Sequence, residues 1–334
     1  MKPSLIARTI SERFTNGVMR PVILEGAPGL GKTQIMKQIA DQLGVEFQCL
    51  HAPLMQPEDW GMPVVNATKD GIKFIVPTEK LPIEGSEFGD SGILVIDELP
   101  QAENSIQKIV ANLMQEREIH GKKLKPGWLI VATGNRSADR AGANRLLSHL
   151  RNRCTTIEFT PDLDDWCSWY MGTENFKPEC LGFIRFRSGL LSAFDPQQEI
   201  SPTPRGWTEG VFASLGNVPS ECEYEVFKGD VGEGAATEFM AYMKIFRNLP
   251  DIDTLLKNPL KANVPTEAAV LYALSSTLAH HANAKNFADV LAYTKRMPSE
   301  YLLIMVRGVS HKVEITRTKA YSDWIQTEGP KLLS

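Results

Sequence analysis

The stretch Gly26-Ala-Pro-Gly-Leu-Gly-Lys-Thr33 constrains this chain more than any other, because it satisfies G-x-x-x-x-G-K-[ST] in the setting that gives the pattern a mechanism. The apolar run Val22-Ile23-Leu24 before it reads as a strand. Gln34-Ile-Met-Lys-Gln-Ile-Ala-Asp-Gln-Leu43 after it reads as a helix. Such a strand delivers the loop, the glycines let backbone N–H groups close on phosphate oxygens, and the helix N-terminus adds its positive end. Lys32 then meets the phosphate charge, and Thr33 offers a hydroxyl to magnesium. The residues expected to hold ATP are Gly26, Ala27, Pro28, Gly29, Leu30, Gly31, Lys32, Thr33 and Gln34.

Two further apolar runs supply what a phosphate-binding loop needs around it. Gly92-Ile-Leu-Val-Ile-Asp97-Glu98 reads as a buried parallel strand with its acids at the carboxyl end, which is the ligand edge of an open α/β sheet. Asp97 is placed to hold magnesium together with Thr33, and Glu98 to orient or deprotonate an attacking water. Trp128-Leu-Ile-Val-Ala-Thr133 ends at Gly134-Asn135, and its tip is expected beside the Asp97 strand. There the Asn135 amide can hold the water while presenting neither charge nor nucleophile.

In these features the chain resembles the AAA+ ATPases of the dynein-related group, and within them the MoxR group with its CbbQ, NorQ and GvpN type activators. The likeness extends to Asp59-Trp-Gly61, to Gln107 and to Leu113-Met114-Gln115-Glu116, and it runs from about residue 15 to about residue 210. Pro100-Gln101 stand where the group has Asn-Arg, and Arg151-Asn152-Arg153-Cys154 where it has Leu-Asp-Arg-Phe, which marks a divergent branch.

The resemblance implies an arginine finger that reaches a neighbouring subunit's γ-phosphate. Arg153 is that residue, with Arg151 in reserve, whereas Arg136, Arg140 and Arg145 read as a solvated or ion-paired face. Pro202-Thr-Pro-Arg205-Gly-Trp207 resembles the sensor-2 motif, which makes Arg205 the counterpart contact from within the same subunit. The catalytic set expected is thus Glu98, Asn135, Arg153 and Arg205. The resemblance further implies a homo-oligomeric ring, a hexamer, that remodels or activates a partner protein, in this family often one with a von Willebrand factor A domain.

The expected architecture is an α/β P-loop core over residues 1–200, a parallel sheet flanked by helices, followed by a mainly helical lid and C-terminal region over 201–334. Hairpin insertions are expected near 62–77 and 117–126, where Lys69-Asp-Gly71 and Gly121 give turn signals. Composition agrees with two globular domains: apolar residues make up 43% and charged residues 23%. Five cysteines without a C-x-x-C pair argue against a disulfide framework and for a reducing cytoplasm. No apolar run approaches the roughly 18 residues of a membrane span.

The net charge of -4 supplies no general attraction to nucleic acid. A nucleic-acid motor or loader stays open as an alternative through Lys122, Lys123 and Lys125 of the second insertion, as does an ATP-binding switch with little hydrolysis. The basic stretch from Arg307 to Lys319 alternates like a half-exposed strand or an amphipathic surface element. His280-His281, about 100° apart on a helix, make a poor metal pair.

Overall fold

The computed structural model describes residues 1–65, 71–136, 148–249 and 251–330. They fall into two compact units, Met1–Asp165 with Phe194–Glu199, and Trp166–Ala193 with Ile200–Ser334. In chain order the first unit runs α1 (Pro3–Thr15), β1 (Val22–Glu25), α2 (Lys32–Leu43) and β2 (Glu46–His51). A hairpin follows, β3 (Met62–Val65) and β4 (Ile72–Ile75), then β5 (Ser91–Asp97) and α3 (Asn104–Glu116). After a second hairpin, β6 (Glu118–Ile119) and β7 (Lys122–Lys123), come β8 (Gly127–Gly134), α4 (Ser148–Arg151) and β9 (Thr155–Glu158).

Five of the strands form a wholly parallel sheet in the order β2-β5-β8-β1-β9. Parallel neighbours need crossovers, and the helices that make them bury both faces, so these strands read as continuous apolar runs. Alternate residues serve opposite sides. Ile93 and Val95 of β5 and Leu129 and Val131 of β8 pack with Ile35, Met36 and Ile39 of α2 and with Ile6 and Ile10 of α1. Leu94, Ile96, Ile130 and Ala132 pack with Ile106, Val110 and Leu113 of α3. The sheet flanked by helices, with a helical region after it, is the fold class expected from the sequence.

Both insertions form antiparallel hairpins, β3 with β4 and β6 with β7. Lys69 and Asp70 of the first turn lie outside the described residues. The hairpins meet where Phe74 stacks on His120, centroids 4.0 Å apart and planes 3° apart. The same imidazole lies against Gly61, where a Cβ would come within 2.4 Å of it. Asp59, two residues earlier, accepts from the Gln56 N–H at 2.9 Å and from Lys80 at 2.8 Å. The lysine is the main reason its carboxyl is held below the usual range.

No strand follows β9 among the described residues. In the second unit the helix Ala268–His281 packs with Pro178–Phe186 and Ser299–Val309. Its buried Ser275 and Thr277 donate to carbonyls one turn back, each at 2.8 Å. Around Phe183 gather the rings of Trp207, Phe239 and Tyr242. The strand reading of the basic stretch is corrected: Val313–Thr316 and Lys319–Thr327 are helical, with Ile315 buried. Lys312 is occupied within the fold, because its ammonium donates to the carbonyls of Ala279, His280 and Ala282 at 3.0, 2.7 and 2.9 Å, closing the end of the helix Ala268–His281. The His280 ring packs near Phe176, consistent with a packing role.

Arg117 ties the second hairpin to the sheet. It ends α3 in the left-handed region at φ 53°, and one guanidinium nitrogen donates to the carbonyls of Lys125, Pro126 and Trp128 at 3.2, 3.2 and 2.7 Å. Replacing it by methionine keeps the stem but removes a charged donor from all three carbonyls. Arg117→Met is expected to lower the unfolding free energy by about 2–3 kcal/mol, read from denaturant titration followed by tryptophan fluorescence, with Arg117→Lys recovering only part.

Candidate functional site

The strand order gathers the expected site at one sheet edge. β8 lies between β5 and β1, so Asp97 leaves one strand, Gly134 and Asn135 leave the next, and Gly26 leaves the third. Registers fix the alignment: His51 pairs with Asp97, Ile96 with Ala132, and Glu25 with Gly134. The Gly26 N–H donates to the Gly134 carbonyl at 3.1 Å, which joins the loop's first residue to the β8 tip.

The loop itself turns through Gly29 at φ 70° and Gly31 at φ 83°, both left-handed, where a side chain would be strained. Gly31 opens α2, and the Ile35 N–H donates to its carbonyl at 2.9 Å. Lys32 is only 9% exposed. Its ammonium donates to the carbonyls of Gly26 and Ala27 at 2.9 and 2.8 Å and to Asn135 Oδ1 at 3.2 Å. Lys32 and Asn135, 103 residues apart in the chain, therefore meet directly.

Asp97 is the other meeting point. The Thr33 hydroxyl donates to Asp97 Oδ1 at 2.6 Å, and the hydroxyl of Thr133 also donates to Oδ1. His51 Nδ1 lies 3.3 Å from Oδ2. A carboxylate and a hydroxyl side by side are the hard oxygen donors that magnesium takes, so Thr33 and Asp97 fit the ion expected there. Cys49, two residues before His51 on β2, is half-buried, and that burial, aided by the Asp97 charge, pushes its thiol up to about 12.

Glu98 is exposed and sits at φ 54°, ψ 34°, a left-handed conformation uncommon for glutamate. Its N–H donates to Thr133 Oγ1 at 3.1 Å, and its carbonyl accepts from the Gln101 N–H at 2.8 Å, which starts the short helix Leu99–Gln101. Pro100, one of the departures from the family pattern, is buried against Gly134, where a Cβ would lie 2.6 Å from the proline ring. Gln107 is wholly buried and donates to the Ala102 carbonyl at 3.1 Å, bracing the start of α3.

The arginines divide. Arg151 pairs with Glu25 at 2.5 Å, so the reserve finger is engaged within its own chain at the strand end from which the loop departs. Arg136 pairs with Glu158 at 3.1 Å, as an ion-paired face requires. Arg153 is exposed and forms no ion pair with another described residue. Arg140 and Arg145 lie outside the described residues. Arg205 belongs to the second unit, where it is exposed and 3.8 Å from Glu209, directly before the π-helical turn Gly206–Val211.

Sequence reasoning missed Thr133 and His51. Thr133 carried a faint signal, a polar residue closing an apolar run; His51 carried none, because only strand pairing brings β2 beside β5.

Comparison with known proteins agrees on the first part of the chain. Residues 21–154 match the family model of the AAA domain (dynein-related subfamily), a span that holds the Gly26 loop, Asp97-Glu98, Asn135 and Arg153. No curated protein matches the chain. Among solved structures it is similar to a Cytophaga hutchinsonii protein described as a presumptive ATPase, at 16% identity and TM-score 0.36 over 91% of this chain and 79% of that one. It is also similar to the Thermotoga maritima RuvB Holliday junction branch migration motor, at 18% identity and TM-score 0.38 over 83% and 80% of the two chains. A mutant of the same RuvB gives 18% identity and TM-score 0.39 over 82% and 79%. No helix among the described residues is long and apolar enough to cross a membrane.

Thr133 is 1% exposed and its hydroxyl serves Asp97 and the Glu98 N–H at once. Thr133→Val keeps the shape but takes the acceptor from the Glu98 N–H and one of two hydroxyl donors from Asp97 Oδ1. Thermal or denaturant unfolding is expected to show a loss of about 1–3 kcal/mol, with Thr133→Ser close to the parent.

Proposed function

We propose that this protein is a magnesium-dependent ATPase that works as a homo-oligomeric ring and remodels or activates a partner protein. The observation that carries the reading is the convergence, on one sheet edge, of Lys32 with Asn135 and of Thr33 with Asp97. The loop from Gly26 to Gln34 would wrap the phosphates, with its left-handed glycines turning the backbone and Lys32 exchanging carbonyl partners for phosphate oxygens. Thr33 and Asp97 would hold magnesium, which neutralises phosphate charge and fixes the phosphate geometry. Glu98, held at its unusual backbone angle by the Thr133 hydroxyl, would receive a proton from the attacking water, and Asn135 would orient that water.

Transition-state charge would be met by Arg153 from a neighbouring subunit and by Arg205 from the same chain. The engagement of Arg151 with Glu25 favours Arg153 as the finger. A ring is what donation in trans demands, and a hexamer is what the family resemblance implies. The partner is read as a protein, on the strength of the first hairpin: Val65, Ile72 and Ile75 are 85%, 69% and 56% exposed. Apolar side chains held out on a hairpin suit a protein surface better than a phosphate backbone. The alternative of a nucleic-acid motor loses Lys125, whose ammonium donates to the carbonyls of Phe88 and Ser86. A von Willebrand factor A domain protein is the class the resemblance implies, and the cytoplasm is the matching compartment.

Two experiments test the chemistry. Lys32→Ala is expected to lose ATP binding in calorimetry, whereas Glu98→Gln binds and hydrolyses at least about a hundredfold more slowly; unchanged turnover in Glu98→Gln removes that residue from the mechanism. Arg153→Ala is expected to bind ATP normally and lose about a thousandfold in turnover or more. Mixing it with Glu98→Gln should restore part of the activity, because mixed interfaces unite an intact water-activating site with an intact finger. Mixed rings in native mass spectrometry without restored activity would falsify donation in trans.

A further inference from the structure

β2 brings a second set of donors to Asp97. Cys49 and His51 are two residues apart on one strand, so the strand period sends both side chains to the same face, and His51 is the register partner of Asp97. The Cys49 sulfur, an imidazole nitrogen of His51 and an Asp97 carboxylate oxygen all lie within 4.8 Å of one another. The 3.3 Å between His51 Nδ1 and Asp97 Oδ2 is about the separation of two ligands that each sit about 2.0–2.1 Å from one tetrahedral ion.

Thiolate, imidazole and carboxylate together make a donor set for zinc, whereas magnesium takes oxygens and leaves sulfur alone. Nothing in the ATPase chemistry proposed above uses Cys49. We infer that Cys49, His51 and Asp97 form a three-ligand site for a thiophilic divalent cation, zinc before others, with a fourth position open to solvent. On binding, the thiol proton leaves to solvent and a metal–sulfur bond replaces it. Because Asp97 belongs to both sets, zinc and magnesium–ATP exclude one another; this clause rests on the reading of Asp97 given above, while the cation site does not.

Cobalt(II) is the probe, since it takes zinc's geometry and reports sulfur ligation optically. Titrated into the full-length, nucleotide-free protein, it is expected to give, at one equivalent, a near-ultraviolet thiolate-to-cobalt charge-transfer band that zinc removes. Cys49→Ser, nearly isosteric, should abolish the band, and His51→Gln should weaken cobalt binding about tenfold or more, with circular dichroism confirming that both remain folded. A parent protein without the band, or a band that survives in Cys49→Ser and disappears in Cys222→Ser, overturns the site, since Cys222 is the exposed cysteine. Magnesium–ATP added to the cobalt protein should suppress the band. A band indifferent to bound magnesium–ATP overturns the exclusion, and with it the magnesium role of Asp97, while leaving the cation site in place.

Discussion

The Asp97 carboxylate ties together parts of the first unit that the chain keeps far apart. One oxygen accepts from Thr33, at the start of α2, and from Thr133, near the end of β8, while the other faces His51 at the end of β2. A half-buried carboxylate is stable only when its lone pairs are satisfied, and each partner here comes from a different strand or helix. The glycine loop after β1, the acid strand and the strand that leads to Asn135 are therefore in register at their tips. Thr133 extends the link, because the hydroxyl that serves Asp97 also accepts from the Glu98 N–H and so supports the left-handed backbone of that residue.

The same edge carries its own competition. Lys32 is bonded to carbonyls of its own loop and to Asn135, so its ammonium is held at the loop by the protein's own oxygens. On the proposed function, phosphate oxygens would take over those bonds, one set of acceptors being exchanged for a more strongly charged one. Asp97 is likewise a shared acceptor. On the two proposals made above, the hydroxyls on one oxygen suit a hard cation and the Cys49–His51 pair on β2 a thiophilic one, so the choice between cations would lie in which neighbours of a single carboxylate are engaged.

Away from the sheet edge, the two hairpins are joined through Phe74 and His120, and Gly61 is the residue that lets the imidazole approach. The short Asp59-Trp-Gly61 stretch thus has a mechanical reading: the acid anchors a turn, the indole is buried, and the glycine leaves room for a ring from the other hairpin. Arg117 fixes the root of that second hairpin to β8. Exposed apolar residues on β3 and β4 are therefore presented from a support that reaches back to the core.

Much of this was legible in order along the chain. The loop of glycines, the two apolar runs ending in acids or in Gly-Asn, the hairpin turns and the helical end each rest on local rules: glycine's access to left-handed backbone, the strand period and the helix period. Those rules identified the parallel α/β sheet and the sheet edge where the candidate site lies. They left Val313–Thr316 open between a half-exposed strand and an amphipathic surface element, because alternation over so few residues is shared by a helical turn whose Ile315 faces inward. They do not show that Arg151, held in reserve behind Arg153 on resemblance alone, pairs with a residue 126 positions away. Nor could they find His51 and Cys49 beside Asp97, or the double duty of Thr133. Sequence fixes which residues share a face of one element, since that follows from backbone period; only the tertiary structure decides which faces meet, since that depends on strand order and register set by the packing of the whole sheet.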